Sequence, residues 1–457
     1  MFNGLRFAAG LLLMPLLWRL LSKPDLGIYS LLFQFTGFLI TFDQMFAVTI
    51  ARFVGYAMRG VPELQSVGLT AVTDENAPPN TALLGRLLGV TKRIYHLLSL
   101  GIFILLGVFG TILLAPDLAK SSDPKIAWAA WIITVASACL ELYTGYWLVF
   151  MRGLNKILLS TRLSTVVYGL KLLLAIGLLL AHCGLLAVPI AALVAGLVQR
   201  LLARAFMRHN LPPGVHIDFT EHRKLLRSIW PSTWRVGVIL LSLNVMTVGF
   251  GLIISWKWGV AEVAPFHFSH QILYSVCIGM SSVWTFVKWP MICQLRASGD
   301  FARLQRLVWQ RLWLQVLTYI SMSAFFIICG PPLLKWVAPD KQLLPWPWLL
   351  VLALYAFLDM TFTFWTTLIS TENRIPSLWP SVVTNCATLI VAALLAQFTR
   401  LGWGAFVIAP LGCGLLFNYW YWPKIGAEGI GTRVSFLLRR PGRTAPEPVA
   451  GKQSPTA

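Results

Sequence analysis

WAAWIITVASACLELYTGYW at residues 128–147 and WPWLLVLALYAFLDMTFTFW at residues 346–365 are one pattern written twice, 218 positions apart. Each stretch begins and ends on Trp. Each carries one carboxylate, Glu141 or Asp359, inside a run of about 20 residues, enough to cross a membrane. The same offset relates Asn155 to Asn373 and Gly184 to Gly402, so the correspondence holds over 57 residues. A constant offset over that length predicts a duplicated six-helix unit, and an acid kept in both copies marks a candidate site.

Composition supports the membrane reading. The 457 residues are 57% hydrophobic and 12% charged, with 20 Trp, and the mean hydropathy is +0.72; an average soluble domain is roughly a quarter charged. Apolar windows run over 5–21, 27–48, 92–115, 126–150, 164–181 and 184–202, then over 229–254, 266–287, 311–336, 344–369, 377–397 and 402–422. The first lacks the charged start and cleavage site of a secretory signal and reads as a span. The expected fold is an all-α polytopic membrane protein with about 12 transmembrane helices in two six-helix lobes.

The duplication continues in a shifted register, with Asp25 and Gln34 answered by Glu262 and Gln271 at an offset of 237. An even number of helices separates the copies, so they insert in the same orientation. That predicts a pseudo-twofold along the membrane normal and a central cavity between the lobes. The expected organisation is an N-terminal lobe over 1–205, a cytoplasmic linker over 206–228, a C-terminal lobe over 229–425, and a flexible basic cytoplasmic tail over 426–457. The centre of the 55–91 connection, Asp74-Glu75-Asn76-Ala77-Pro78-Pro79, reads as flexible.

A formal charge of +20 raises nucleic acid as a partner, but the placement of the charges excludes that explanation. Of the 37 Lys and Arg residues, only Lys171 and Arg235 fall inside spans away from the window ends; with the N-terminus inside, 27 lie on the cytoplasmic side and eight outside. The positive-inside rule therefore puts both termini in the cytoplasm, and anionic membrane lipids are the partners that account for the basicity. The seven cysteines are scattered, without metal spacing, and read as small buried hydrophobes. His267 and His270, near one helix end, read as interfacial rather than metal-binding, so neither metal nor cofactor is expected. No Walker-type phosphate loop occurs.

The stretch from Pro15 through Arg19, Lys23-Pro24-Asp25 and Gly27-Ile28-Tyr29-Ser30 resembles the first-loop pattern of the Wzx-type polysaccharide flippases, in the superfamily that also holds multidrug and toxin extrusion transporters. Asp43 followed by Arg52 resembles that family's acid-then-Arg signature at the end of helix two. Trp289-Pro290 through Ala297-Ser298-Gly299-Asp300 to Leu304 resembles its segment after helix eight. The resemblance extends to about residue 425. Two positions depart from it: Gln44-Met45-Phe46 stands where the family has a Gly, and Pro265-Phe266-His267 where it has Gly-x-Tyr.

The resemblance implies a flippase that moves lipid-linked oligosaccharide across the bacterial inner membrane for surface polysaccharide biosynthesis. Its implied partners are that substrate, a coupling cation and a polysaccharide polymerase complex. A cation-coupled multidrug exporter of the same superfamily is the alternative. A membrane glycosyltransferase or polymerase would need a sizeable external loop, which is lacking, so the chain is expected not to be an enzyme.

Glu141, Asp359, Lys171, Arg235 and Asp43 lie within spans. At roughly 2.5–3.5 kcal/mol each, they cannot all face lipid unpaired. Lys171 and Arg235 are the cations a diphosphate-linked sugar would need, and Glu141 and Asp359 the acids an organic cation would need, so all four are candidate substrate contacts. With helix five starting at residue 164, Lys171 falls roughly 10 Å along it, within reach of Glu141 on helix four, either as a structural ion pair or as part of the site. Leu389 occupies the position matching Lys171, which leaves Asp359 for the cavity. Arg235 either snorkels to the headgroups or lines the cavity, and Asp43 is a structural or gating acid.

Overall fold

A computed structural model describes residues 12–61, 78–218, 222–297, 300–370 and 376–433. Asn373, the segment Asp74-Glu75-Asn76-Ala77, Ser298-Gly299, the start of the first apolar window and the tail beyond 433 lie outside the described residues.

No strand occurs among the described residues. The helices are α1 (12–20), α2 (Lys23–Met58), α3 (Thr81–Leu118), α4 (Pro124–Gly153) and α5 (Ile157–Leu180). They continue as α6 (Ala187–Asn210), α7 (His222–Trp258), α8 (263–286), α9 (Trp289–Ala297) and α10 (Phe301–Val337). The last are α11 (Trp346–Ser370), α12 (Leu378–Phe398), α13 (Ala405–Leu416) and α14 (Asn418–Glu428). Among the described residues nine helices are long and apolar enough to cross a membrane, and a tenth span is the pair Gly402–Leu416 and Asn418–Glu428, bent by 42°. The other two of the twelve expected are α1, described only in part, and α8, whose His267, Ser269, His270 and Gln271 make it polar at one end.

Several helices start before their apolar windows: α3 at Thr81, α5 at Ile157, α7 at His222 and α10 at Phe301. Backbone hydrogen bonding carries them on through charged turns such as those holding Arg86, Lys92, Arg162 and Arg303. Hydropathy marks the hydrocarbon and not the helix.

The duplication is written in the backbone. Gly184 and Gly402 have φ of +56° and +58°, each opens a 3₁₀ turn (Gly184–Leu186 and Gly402–Gly404), and each turn leads into a helix, at Ala187 or Ala405. A left-handed backbone strains any residue with a Cβ, which gives the repeated Gly a physical reason.

The chain forms two compact units, Met1–His267 with Lys335–Lys341, and Phe268–Leu334 with Gln342–Ala457. In the first, α7 lies against α2 through glycines on both helices. A Cβ at Gly37 would meet Asn244, ones at Gly237 and Gly251 would meet Met45 and Gln34, and one at Gly27 would sit 1.8 Å from the carbonyl oxygen of Val260, in the 3₁₀ turn just after α7. Small residues let helices approach closely where lipid gives no hydrophobic drive, and that approach groups α7 with the helices before it. Gly27→Ala should therefore cost about 1–3 kcal/mol, as overpacking does, and show as lower detergent-extracted yield; unchanged yield and melting temperature would contradict the contact.

Elsewhere in this unit Ser255 donates to buried Asp117, at 2.6 Å. The Asp218 amide donates to the Gly85 carbonyl at 3.2 Å, and its carboxylate lies 3.7 Å from Arg86, so the end of the described linker docks on α3. In the second unit Asp300 accepts from the Arg303 amide at 3.1 Å, capping α10 as a short acidic side chain does well. Arg296 of α9 donates to the carbonyls of Leu368 and Gly429.

Candidate functional site

Two acid–tyrosine centres form, one in each unit. In the first, the Tyr95 hydroxyl of α3 donates to Asp43 Oδ1 of α2 at 2.8 Å. Gly145 of α4 makes room for them: a Cβ there would lie 3.0 Å from the Tyr95 ring and 3.3 Å from Asp43. Glu141 sits one turn before Gly145 on α4, and both it and Arg152 are within electrostatic reach of Asp43. Glu141 is thus on the same face of α4 as Gly145, whose Cβ position approaches Asp43.

The expected contact between Glu141 and Lys171 is not made: among the described residues neither forms an ion pair. Lys171 lies on the stripe of Leu163, Val167, Ala175 and Leu179, the buried face of α5, and α5 packs chiefly on α6, with little contact to α4. α5 begins at Ile157, so Lys171 stands 14 residues, or roughly 21 Å, along the helix, while its distance from the start of the apolar window at 164 is unchanged. It is a half-buried cation facing protein, without a carboxylate partner among the described residues.

Arg235 is exposed, with its guanidinium carbon 5.8 Å from the Trp234 ring centroid. It lies two residues into the apolar part of α7, Thr233–Trp258, roughly 3 Å by helical rise, against roughly 10 Å for Lys171 from the start of its apolar window at residue 164.

In the second unit Tyr274 of α8 donates its hydroxyl to Asp359 Oδ2 of α11. Tyr274 sits in the π-helical segment Gln271–Cys277, a kind of distortion that often marks functional positions because it re-aims side chains. His270 stacks on Tyr274, with ring centroids 4.9 Å apart, and Tyr355, one turn before Asp359, stacks at 5.8 Å. Tyr419 of α14 lies within electrostatic reach of the carboxylate. Asp359 is half-buried, with Oδ1 making no hydrogen bond among the described residues. That oxygen can take a proton, a cation or a sugar hydroxyl.

Sequence reasoning identified the acids and missed their tyrosines. Tyr355 was readable, lying four residues before Asp359 and so on the same helical face; Tyr95 and Tyr274 come from other helices and left no local signal. His267 joins Gln34 at 3.3 Å and packs against Phe33. A crevice of about 470 Å³ between α10 and α11, lined by residues such as Tyr319, Ile327, Trp346 and Phe357, contains none of these charged groups; its exposed Ile320 and Ile328 suit lipid.

Comparison by sequence finds no matching family model and no matching curated protein. Solved structures do match in fold. An inward-facing conformation of a multidrug resistance MATE family transporter of the MOP superfamily aligns with a TM-score of 0.71 at 13% identity, over 94% of this chain and 95% of that one. An outward-facing conformation of such a transporter aligns at 0.61 and 14%, over 94% of each chain. A MOP superfamily transporter from Pyrococcus furiosus, whose binding pocket is described as of reverse polarity suggesting a different function, aligns at 0.58 and 15%, over 96% of this chain and 94% of that one. The chain has the multi-pass, two-lobed, all-helical fold of these proteins.

Proposed function

We propose that the protein moves lipid-linked oligosaccharide across the bacterial cytoplasmic membrane by alternating access of its halves, residues 1–205 and 229–425, for surface polysaccharide biosynthesis. Lys171 carries this reading. Asp43 and Asp359 each accept a tyrosine hydroxyl, whereas among the described residues Lys171 faces protein without a carboxylate and Glu141 has no ion pair. Of these two unengaged charges in the membrane interior, the cation suits an anionic diphosphate. The Pyrococcus furiosus neighbour, described by its reversed pocket polarity, supports treating charge inside this fold as a guide to substrate. Arg235 receives the diphosphate near the cytoplasmic surface and Lys171 meets it deeper, two stations along one path. Glu141 and Asp359 contact the sugar, and Asp43 acts in gating.

A cation-coupled exporter is the second reading, favoured by the open oxygen of Asp359. The same atom suits a coupling cation in a flippase. A polysaccharide polymerase is the partner that would consume the delivered oligosaccharide. Losing the protein from its own cell should stop surface polysaccharide and leave lipid-linked oligosaccharide on the cytoplasmic leaflet; full surface polysaccharide would contradict the proposal.

The loop charges support a topology with both termini in the cytoplasm. Reporter fusions after residues 120, 258 and 340 should read external, and fusions after 155, 215 and 430 internal. Reversal at two or more sites would overturn the topology.

A further inference from the structure

On one face of the first unit, three helices bring together a cationic and aromatic cluster that the transport path does not use. Arg200 of α6 holds its guanidinium carbon 4.8 Å from the ring centroid of Tyr143 on α4. His96 of α3 stacks on the same ring at 4.5 Å, nearly parallel at 9°. Lys92, one turn before His96, and Arg200 are both within electrostatic reach of His96. Arg204, one turn beyond Arg200, reaches Tyr146 together with it. Lys92, Arg200 and Arg204 form no ion pair among the described residues.

Two observations fix the depth and direction of the cluster. His96 stands immediately before a run without charge from Leu97 to Pro116, and Arg200 lies just after one from Cys183 to Val198, so both mark where hydrocarbon ends. The same helical faces then continue into the uncharged runs as exposed apolar residues, Leu97 and Leu100 at 60% and 55%, and Leu197 at 48%. Such a surface faces acyl chains. An arginine that only snorkelled would extend along its own helix toward water; Arg200 instead reaches across to a ring on α4.

We propose that this face binds an acidic phospholipid of the cytoplasmic leaflet, its phosphate held by Arg200, Arg204 and Lys92 and its acyl chains lying along the leucines of α3 and α6. Arginine's planar fork suits a phosphate oxygen pair, and Tyr143 fixes the plane of that fork in advance. The inference uses the cytoplasmic placement of the basic ends and is independent of what the protein transports.

Native mass spectrometry of the purified full-length chain, given equal amounts of phosphatidylglycerol and phosphatidylcholine, tests it. The wild type should retain phosphatidylglycerol preferentially. Arg200→Gln with Arg204→Gln should lower that occupancy at least fivefold without changing retention of phosphatidylcholine. Arg223→Gln with Arg227→Gln, at the start of α7, should leave it unchanged. Tyr143→Leu, which keeps every charge, should also lower it, and supplies the test if the double variant is not recovered. Equal retention of the two lipids by the wild type, wild-type retention by the first double variant, or equal loss in the control pair would each overturn the site.

Discussion

Lys171→Met should reduce transport at least tenfold while raising the melting temperature of the purified protein. The two effects have one cause. A half-buried ammonium without a counter-charge among the described residues costs free energy in the folded state, because burying an unpaired charge is unfavourable. Methionine has a similar length, is apolar and is adaptable, so it fills the space on the stripe between Val167 and Ala175. Stability should rise by about 1–4 kcal/mol, the range seen when buried ion pairs give way to apolar side chains. Transport falls because the diphosphate loses its deeper cation. A variant both less stable and less active would show instead that Lys171 serves packing.

Asp359→Asn should be recovered in normal amounts and transport at least tenfold less. The amide oxygen can still accept from Tyr274, so the buried hydroxyl keeps its partner, but the carboxylate charge is gone. Asp359→Leu should lose both, since a buried donor without an acceptor costs about 1–3 kcal/mol. Glu141→Gln belongs with the asparagine variant: Glu141 has no ion pair to break among the described residues, so the loss of fold that a pair with Lys171 would have implied does not arise. Yield and complementation measured on all three separate the cases. Equal yields for Asp359→Asn and Asp359→Leu would remove Tyr274 from the explanation.

Much of the fold was legible because its signals are local or periodic. The 218-residue offset reappears as paired left-handed glycines at 184 and 402, which a sequence can carry because only Gly tolerates that backbone cheaply. Helix starts were less legible: residues 157–163 continue α5 outside its apolar window. The grouping of α7 with α2 depends on Gly37, Gly237 and Gly251 facing the other helix and on Gly27 facing the turn after α7, and no pattern within either helix announces its partner. The same limit applied at the site. Buried acids stand out in apolar sequence, whereas the tyrosines that hold them do not. The Glu141–Lys171 pair failed because similar depth on consecutive helices does not fix the direction in which each side chain faces.

The central claim is that an anionic lipid-linked substrate, and not an organic cation, passes through the protein. Proteoliposomes containing the purified wild-type chain should therefore translocate a fluorescent polyprenyl-diphosphate oligosaccharide between leaflets. Translocation should fall at least tenfold in Lys171→Met, and the same vesicles should not move ethidium above the rate of empty liposomes. Ethidium transport without movement of the diphosphate-linked sugar would contradict the claim and establish the exporter in its place.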